Sequence, residues 1–168
     1  PELLAGTKDG ERAKAEGVTN GLCLNQEAWN TALVDRCEGY FSGLGGALNM
    51  IDVSNDVQQI ETRTAAALSA DPSIDGILAA GPHVCAAANK AIKDVGADVH
   101  LACFDMSDDV TAMLRSGDAS FTIDQQQRLQ GYMPIIVLHL YNTNAGMLPG
   151  ANIPSCLLYT SDAADDWS

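Results

Sequence analysis

The chain has 168 residues, enough for one well-packed domain, and carries 46% hydrophobic and 18% charged residues, the balance of an ordinary globular protein. Its formal charge of -13 argues against a nucleic-acid-binding surface, which needs clustered Lys and Arg. No run is apolar for long enough to span a bilayer: the longest, Met133 to Tyr141, is short and carries His139.

Apolar runs alternate with longer amphipathic stretches. Pro1 to Glu16 has a helical pattern that Gly6 and Gly10 weaken, and Gly17 ends it. Gly21 to Leu24 reads as a short strand. Asn30 to Leu44 places Ala32, Leu33, Cys37, Tyr40, Phe41 and Leu44 at helical spacing, with Gly45 and Gly46 as the stop. Ala47 to Val53 is a second strand. Asp56 to Ala70 is a helix opened by a cap at Asn55 and Asp56 and closed by the Asp71-Pro72 turn.

Gly76 to Ala80 is a third strand, and Pro82 to Val95 a helix with Pro82 in its first turn and Gly96 beyond its end. Val99 to Phe104 is a fourth strand. Ser107 caps a short helix to Arg115, which Gly117 stops. Ala119 to Ile123 is a fifth strand, and Gln127 to Asn142 a last helix, with a kink expected at Pro134.

This alternation predicts an α/β fold: a three-layer αβα sandwich around a mainly parallel sheet of about five strands. The strands are continuous apolar runs, as expected when both sheet faces are covered. None of the five Cys forms a CxxC pair or sits at metal-site spacing with a His, so Cys23 and Cys103, inside strand-like runs, read as buried small hydrophobes. No metal site and no cofactor are expected.

The segment from Cys156 to Asp166 follows Pro154-Ser155 abruptly and fits no element of the preceding pattern. It reads like the translation of a transposon-type sequencing adapter. Residues 1–155 are therefore expected to be the natural part and 156–168 a non-native tail. The sequence opens at Pro1 rather than Met, so the natural start is expected upstream.

In open parallel sheets, ligands bind beyond the carboxyl ends of the strands. Polar residues gather there: Asn25, Gln26, Glu27, Trp29 and Asn30 after the first strand; Asp52, Ser54 and Asn55 after the second; Gly81, Pro82 and His83 after the third; Asp105 after the fourth; Asp124 to Gln127 after the fifth. Carboxylates and amides pair with hydroxyls, and an aromatic ring covers the apolar face of a sugar. Singly, each residue also reads as a cap or turn former; Asn55, Asp56 and Ser107 are caps first. Their shared edge carries the argument.

The motifs narrow it further. Phe104-Asp105-Met106-Ser107, then Phe121-Thr122-Ile123-Asp124-Gln125-Gln126, then Gln130-Gly131-Tyr132-Met133-Pro134 form an ordered FD-x-S, IDQQ, QGY-x-P series. Upstream stand Asp35-Arg36-Cys37-Glu38-Gly39-Tyr40 and Asp71-Pro72 with Asp75-Gly76-Ile77-Leu78. Together they resemble the C-terminal lobe of type I periplasmic sugar-binding proteins, the ribose-binding-protein-like components of ABC transporters, over the whole of residues 1–155.

The resemblance implies that Arg36, Asp105 and Gln125 contact ligand, the Arg and Asp bonding sugar hydroxyls and the Gln closing the site. It places Asn55 where ribose-type members have an aromatic wall and Gly81 where they have a hydroxyl-binding Asn. Both departures speak against ribose, and Trp29 or Glu27 is read as supplying what those positions lack. Outside the resemblance, Arg36 reads as an ion pair with Asp35 or Glu38, and Trp29 as a ring packed on its own helix.

The resemblance further implies a missing N-terminal lobe, a monosaccharide or polyol ligand, a membrane ABC permease as partner, no nucleic acid, and a bacterial periplasmic or lipid-anchored extracellular location. The alternative on the same fold is the effector-binding core of a lac-repressor-type transcription regulator. An enzyme is not expected. Gly43-Leu44-Gly45-Gly46 follows a helix and precedes a strand, the reverse of a dinucleotide fingerprint, and His83, His100 and His139 are scattered.

Overall fold

The structure, a computed structural model, describes residues 2–143 and the backbone of residues 157–160. Helices and strands alternate in the order α1 (Glu2–Ala15), β1 (Gly21–Asn25), α2 (Thr31–Leu44), β2 (Met50–Asp52), α3 (Val57–Ala70), β3 (Gly76–Ala79), α4 (Pro82–Val95), β4 (His100–Phe104), α5 (Asp108–Ser116), β5 (Phe121–Asp124) and α6 (Gln127–Thr143), with β6 at Leu157–Thr160. The strands lie in the order β2-β1-β3-β4-β5-β6. β1 to β5 pair in parallel, and β6 joins the free edge of β5 antiparallel. The chain winds outward from β1 to β2, then returns across β1 to β3, so the switch point lies between β1 and β3.

Strand periodicity builds the two faces. Across the sheet, Met50, Cys23, Leu78, Ala102 and Phe121 stand in register, and the next row is Ile51, Leu24, Ala79, Cys103 and Thr122. Successive side chains point to opposite faces. The first row packs with Ala5, Ala13, Tyr40, Phe41 and Leu44 of α1 and α2. Leu24, Ala79 and Cys103 of the second pack with Ile60, Val84, Ala88, Val110 and Leu114 of α3, α4 and α5. The expected three-layer sandwich is therefore present, with a mainly parallel sheet.

Local chemistry sets the element ends. Asn30, Asp56 and Ser107 cap α2, α3 and α5 through side-chain oxygens that accept from Ala32 N, Gln59 N and Val110 N. Gly45, Gly96 and Gly117 end α2, α4 and α5 in the left-handed conformation. The second strand is shorter than its apolar run, occupying only Met50–Asp52.

Two sequence expectations need correction. Gly6 and Gly10 weaken α1 only as an isolated helix. In the fold, a Cβ on Gly10 would collide with the Tyr40 carbonyl oxygen, and one on Gly43 with the Thr7 carbonyl oxygen. Gly6, Gly10, Gly39 and Gly43 let the backbones of α1 and α2 touch.

The second correction concerns the cysteines. Cys23 and Cys103 are fully buried, as expected of small hydrophobes, but they are not free thiols. Cys23 bonds Cys37, tying β1 to α2, and Cys85 bonds Cys103, tying α4 to β4; both Cα pairs are 5.7 Å apart, within disulfide reach. One bridge lies on each side of the sheet.

Leu157–Thr160, within the segment expected to be a non-native tail, pairs with β5. An open sheet edge offers unpaired backbone groups to any strand-competent segment. The rest of the segment from Cys156 lies outside the described residues.

Candidate functional site

Because β1 to β5 are parallel, their carboxyl ends share one edge, and the chain is strained there. Among the described non-glycine residues, positive φ occurs at Ser54 (65°), Asp105 (66°) and Gln126 (52°), just beyond β2, β4 and β5. Such backbone is uncommon and concentrates at functional sites. It turns the chain so that side chains gather over the edge.

Two polar groups form there. The first joins α2, β4 and β5. Arg36 is buried on the sheet-facing side of α2, with its guanidinium carbon 4.4 Å from the centre of the Phe104 ring. Its Nε donates to Glu2 Oε2 at 2.6 Å, and its Nη1 to the Ala80 carbonyl at 3.1 Å. The alternative reading of Arg36 as an ion pair with Asp35 or Glu38 does not hold, because both lie on the exposed side of α2 and Arg36 pairs with Glu2. A guanidinium has five N–H donors, so Arg36 is oriented with donors to spare.

Asp105 follows β4. Its Oδ1 accepts from Gln125 N at 3.2 Å and its Oδ2 from Gln125 Nε2 at 2.8 Å. Burial pushes the Asp105 carboxyl above the usual carboxylate range, while the Gln125 backbone bond and the nearby Arg36 charge pull it back. Gln130 Nε2 donates to the Gln125 carbonyl at 2.7 Å, holding the start of α6 against the same edge. Gln125 is thus bonded to Asp105, and the buried Arg36 charge lies near enough to act on the Asp105 carboxyl.

The second group joins β1, β2 and α4. Glu27 accepts from Asn30 Nδ2 at 2.8 Å and from Asn55 Nδ2 at 3.2 Å. These two bonds hold its carboxyl below the usual range. His83 Nε2 donates to Asn55 Oδ1 at 3.1 Å, which places the proton on Nε2. Asn55 is therefore a link in a polar chain, and Glu27 is already engaged. Trp29 is 80% exposed, so it packs on neither its own helix nor the core.

Gly81 sits between the two groups at the start of α4, beside the half-buried side chain of Gln26. Two partners had no usable sequence signal. Glu2 lies 34 positions before Arg36, and nothing in the pattern of α1 marks it as the ion-pair partner. Gln26 stood only as one member of a polar run.

The edge can both donate and accept hydrogen bonds. It presents charged donors, charged acceptors and amides within a partly desolvated margin. Among the described residues no group of three His, Cys, Asp or Glu could hold a metal ion. No helix there is long and apolar enough to cross a membrane.

Known proteins share this fold. A family profile described as "Periplasmic binding protein domain" matches residues 5–143. A carbohydrate transporter from Acidothermus cellulolyticus, solved with myo-inositol, is similar with 30% identity and a TM-score of 0.88, over 98% of this chain and 59% of its own. A periplasmic solute-binding protein of an ABC transporter from Actinobacillus succinogenes, solved with D-allose, is similar at 18% identity and a TM-score of 0.80, over 99% of this chain and 61% of its own. A periplasmic sugar-binding protein from Legionella pneumophila is similar at 23% identity and a TM-score of 0.80, over 94% and 60%. A search of curated proteins found no match. The chain thus spans about three fifths of the solved structures it resembles. With the profile covering nearly all of its described length, the chain belongs to the periplasmic binding protein domain family.

Proposed function

We propose that this chain is the C-terminal lobe of the solute-binding component of an ABC-type sugar importer. It binds a monosaccharide or polyol in a cleft between two lobes and presents it to a membrane permease, in the periplasm or as a lipid-anchored extracellular protein. The observation that carries the reading is the convergence of Arg36, Asp105 and Gln125 on one sheet edge. These groups make charge-assisted hydrogen bonds to hydroxyls, and closure of a second lobe excludes water and strengthens them. The similarity to a protein solved with myo-inositol supports a cyclic polyol over a charged metabolite.

α6 supports a missing N-terminal lobe. It buries no residue, and Tyr132, Ile135, Leu138 and Tyr141 stand exposed, Ile135 by 68%. A helix with this much open apolar surface needs a partner. The uncovered two fifths of the similar structures supply chain enough for one. In the same reading residues 1–155 are the natural lobe and the segment from 156 is foreign to it.

The test is a thermal-shift screen of the full-length protein against pentoses, hexoses and inositols. A ligand that raises the melting temperature, and loses that effect with Asp105→Ala, supports the reading. No shift with any of them overturns it.

A further inference from the structure

We infer that Gln26 is a further ligand-contacting and specificity-determining residue of this edge, presenting its side-chain amide to a pair of polyol hydroxyls through the space left by Gly81. The inference rests on the polyol-binding reading of the same site.

Gly81 is extended, with φ -164° and ψ 162°, a conformation open to any residue. It occupies the N-cap of α4, where Ser, Asp or Asn would accept a backbone hydrogen bond, and no side chain does so here. Backbone conformation and capping therefore do not account for glycine. The neighbouring space does: a Cβ on residue 81 would lie 2.9 Å from Gln26 Nε2. The Gln26 amide occupies the place that a side chain on residue 81 would take.

That amide is not consumed by the fold. Gln26 Oε1 is buried and has no hydrogen-bond partner. A buried carbonyl oxygen without a donor is rare, and it marks a group kept for something the free protein does not contain. The last torsion of a Gln side chain is soft, so the amide can turn toward a ligand without breaking a bond at Oε1.

Its position joins the two halves of the site. Arg36 Nη1 donates to the carbonyl of Ala80, the residue before Gly81, so the guanidinium and the amide converge on one turn at the end of β3. Glu27, next to Gln26, opens the Asn55–His83 chain on the other side. The switch point between β1 and β3 lies directly below.

The chemistry selects hydroxyls. A primary amide offers two donors and an acceptor, and each hydroxyl of a vicinal pair both donates and accepts. A ligand lacking one of those hydroxyls would leave Oε1 unpaired in a closed cleft, which is how such sites reject deoxy analogues.

The test is calorimetric titration of the full-length protein with myo-inositol and D-allose, and with a monodeoxy counterpart of whichever binds. Gln26→Ala is expected to weaken binding by about tenfold and to narrow the gap between ligand and deoxy analogue. Gly81→Ala, which displaces the amide without deleting it, is expected to weaken binding in the same way. It also covers the case in which Gln26→Ala fails to fold. Binding unchanged within about twofold in both variants, while Arg36→Ala abolishes it, overturns the role of Gln26 alone. Absence of binding by the unmodified protein to every sugar and polyol tried overturns the site itself.

Discussion

Asp105 accepts two carboxylate hydrogen bonds from Gln125, through the backbone N at 3.2 Å and the side-chain Nε2 at 2.8 Å. The pair clamps the end of β4 to the end of β5, and Asp105 holds it at a φ of 66°. Asn tolerates that conformation nearly as well as Asp, whereas other residues are strained by it. Asn also keeps both bonds if the Gln125 amide turns over.

Asp105→Asn is therefore expected to melt within a few degrees of the unmodified protein while its polyol affinity falls about tenfold or more, since a charged acceptor becomes neutral. Asp105→Ala is expected to lose about 1–3 kcal/mol of stability as well, from strain and lost bonds. Urea unfolding and calorimetric titration of the two variants separate these effects. Equal loss of stability in both would contradict the strain argument.

Contact between the α1 and α2 backbones predicts a reversal of helix propensity. In an exposed helix, Gly→Ala stabilises by about 1 kcal/mol. At Gly10 the new methyl would meet the Tyr40 carbonyl, and neither backbone can yield cheaply. Gly10→Ala is expected to destabilise by about 1–3 kcal/mol, in the range of overpacked cores. A urea midpoint that rises instead would show the helices free to separate.

The layer order was legible because it depends on local patterning. The apolar runs of β1, β3, β4 and β5, the caps at Asn30, Asp56 and Ser107, and the stops at Gly45, Gly96 and Gly117 lie beside the elements they define. The polar edge was legible for the same reason, since parallel strands bring their ends together. The partnerships were not. Glu2 with Arg36, Cys23 with Cys37 and Cys85 with Cys103 depend on how a helix lies across a strand, which no spacing within one element records. The glycines of α1 were misread because their purpose is an approach between helices. The close approach of Gln26 to Gly81 belongs to the same class, visible only once Gln26 is placed.

Asp9 carries a pH dependence. It is fully buried on α1, with neither carboxylate oxygen hydrogen-bonded, and the Tyr40 hydroxyl is also buried without a partner. Desolvation first, and the nearby Glu16 charge second, push the Asp9 carboxyl well above its ordinary value of 3.8. The folded state then holds a proton that the unfolded state releases. The contribution is fully present below the unfolded value and is lost as pH rises through the folded one. Asp9→Asn removes that loss. It is expected to stabilise the protein at neutral pH, by about 1.4 kcal/mol for each pH unit between the unfolded and folded values, and to give no gain at pH about 3. Unfolding curves at both pH values decide it, and an equal effect at both would rule out titration as the cause.

The two disulfides bridge neighbouring layers on opposite sides of the sheet, closing short loops of 14 and 18 residues in sequence separation. Loop-closure arguments assign about 3 kcal/mol to a bridge of this size, acting on the unfolded chain. Both bridges are buried, so reductant reaches them mainly when the chain opens. The native protein is expected to resist alkylation at Cys23, Cys37, Cys85 and Cys103 until it is unfolded and reduced, as intact-mass measurement would record. Unfolding in reductant is expected to shift the urea midpoint down, and Cys37→Ala and Cys85→Ala are each expected to reproduce part of the shift. A folded protein that alkylates at all four positions without reductant would mean that the thiols are free.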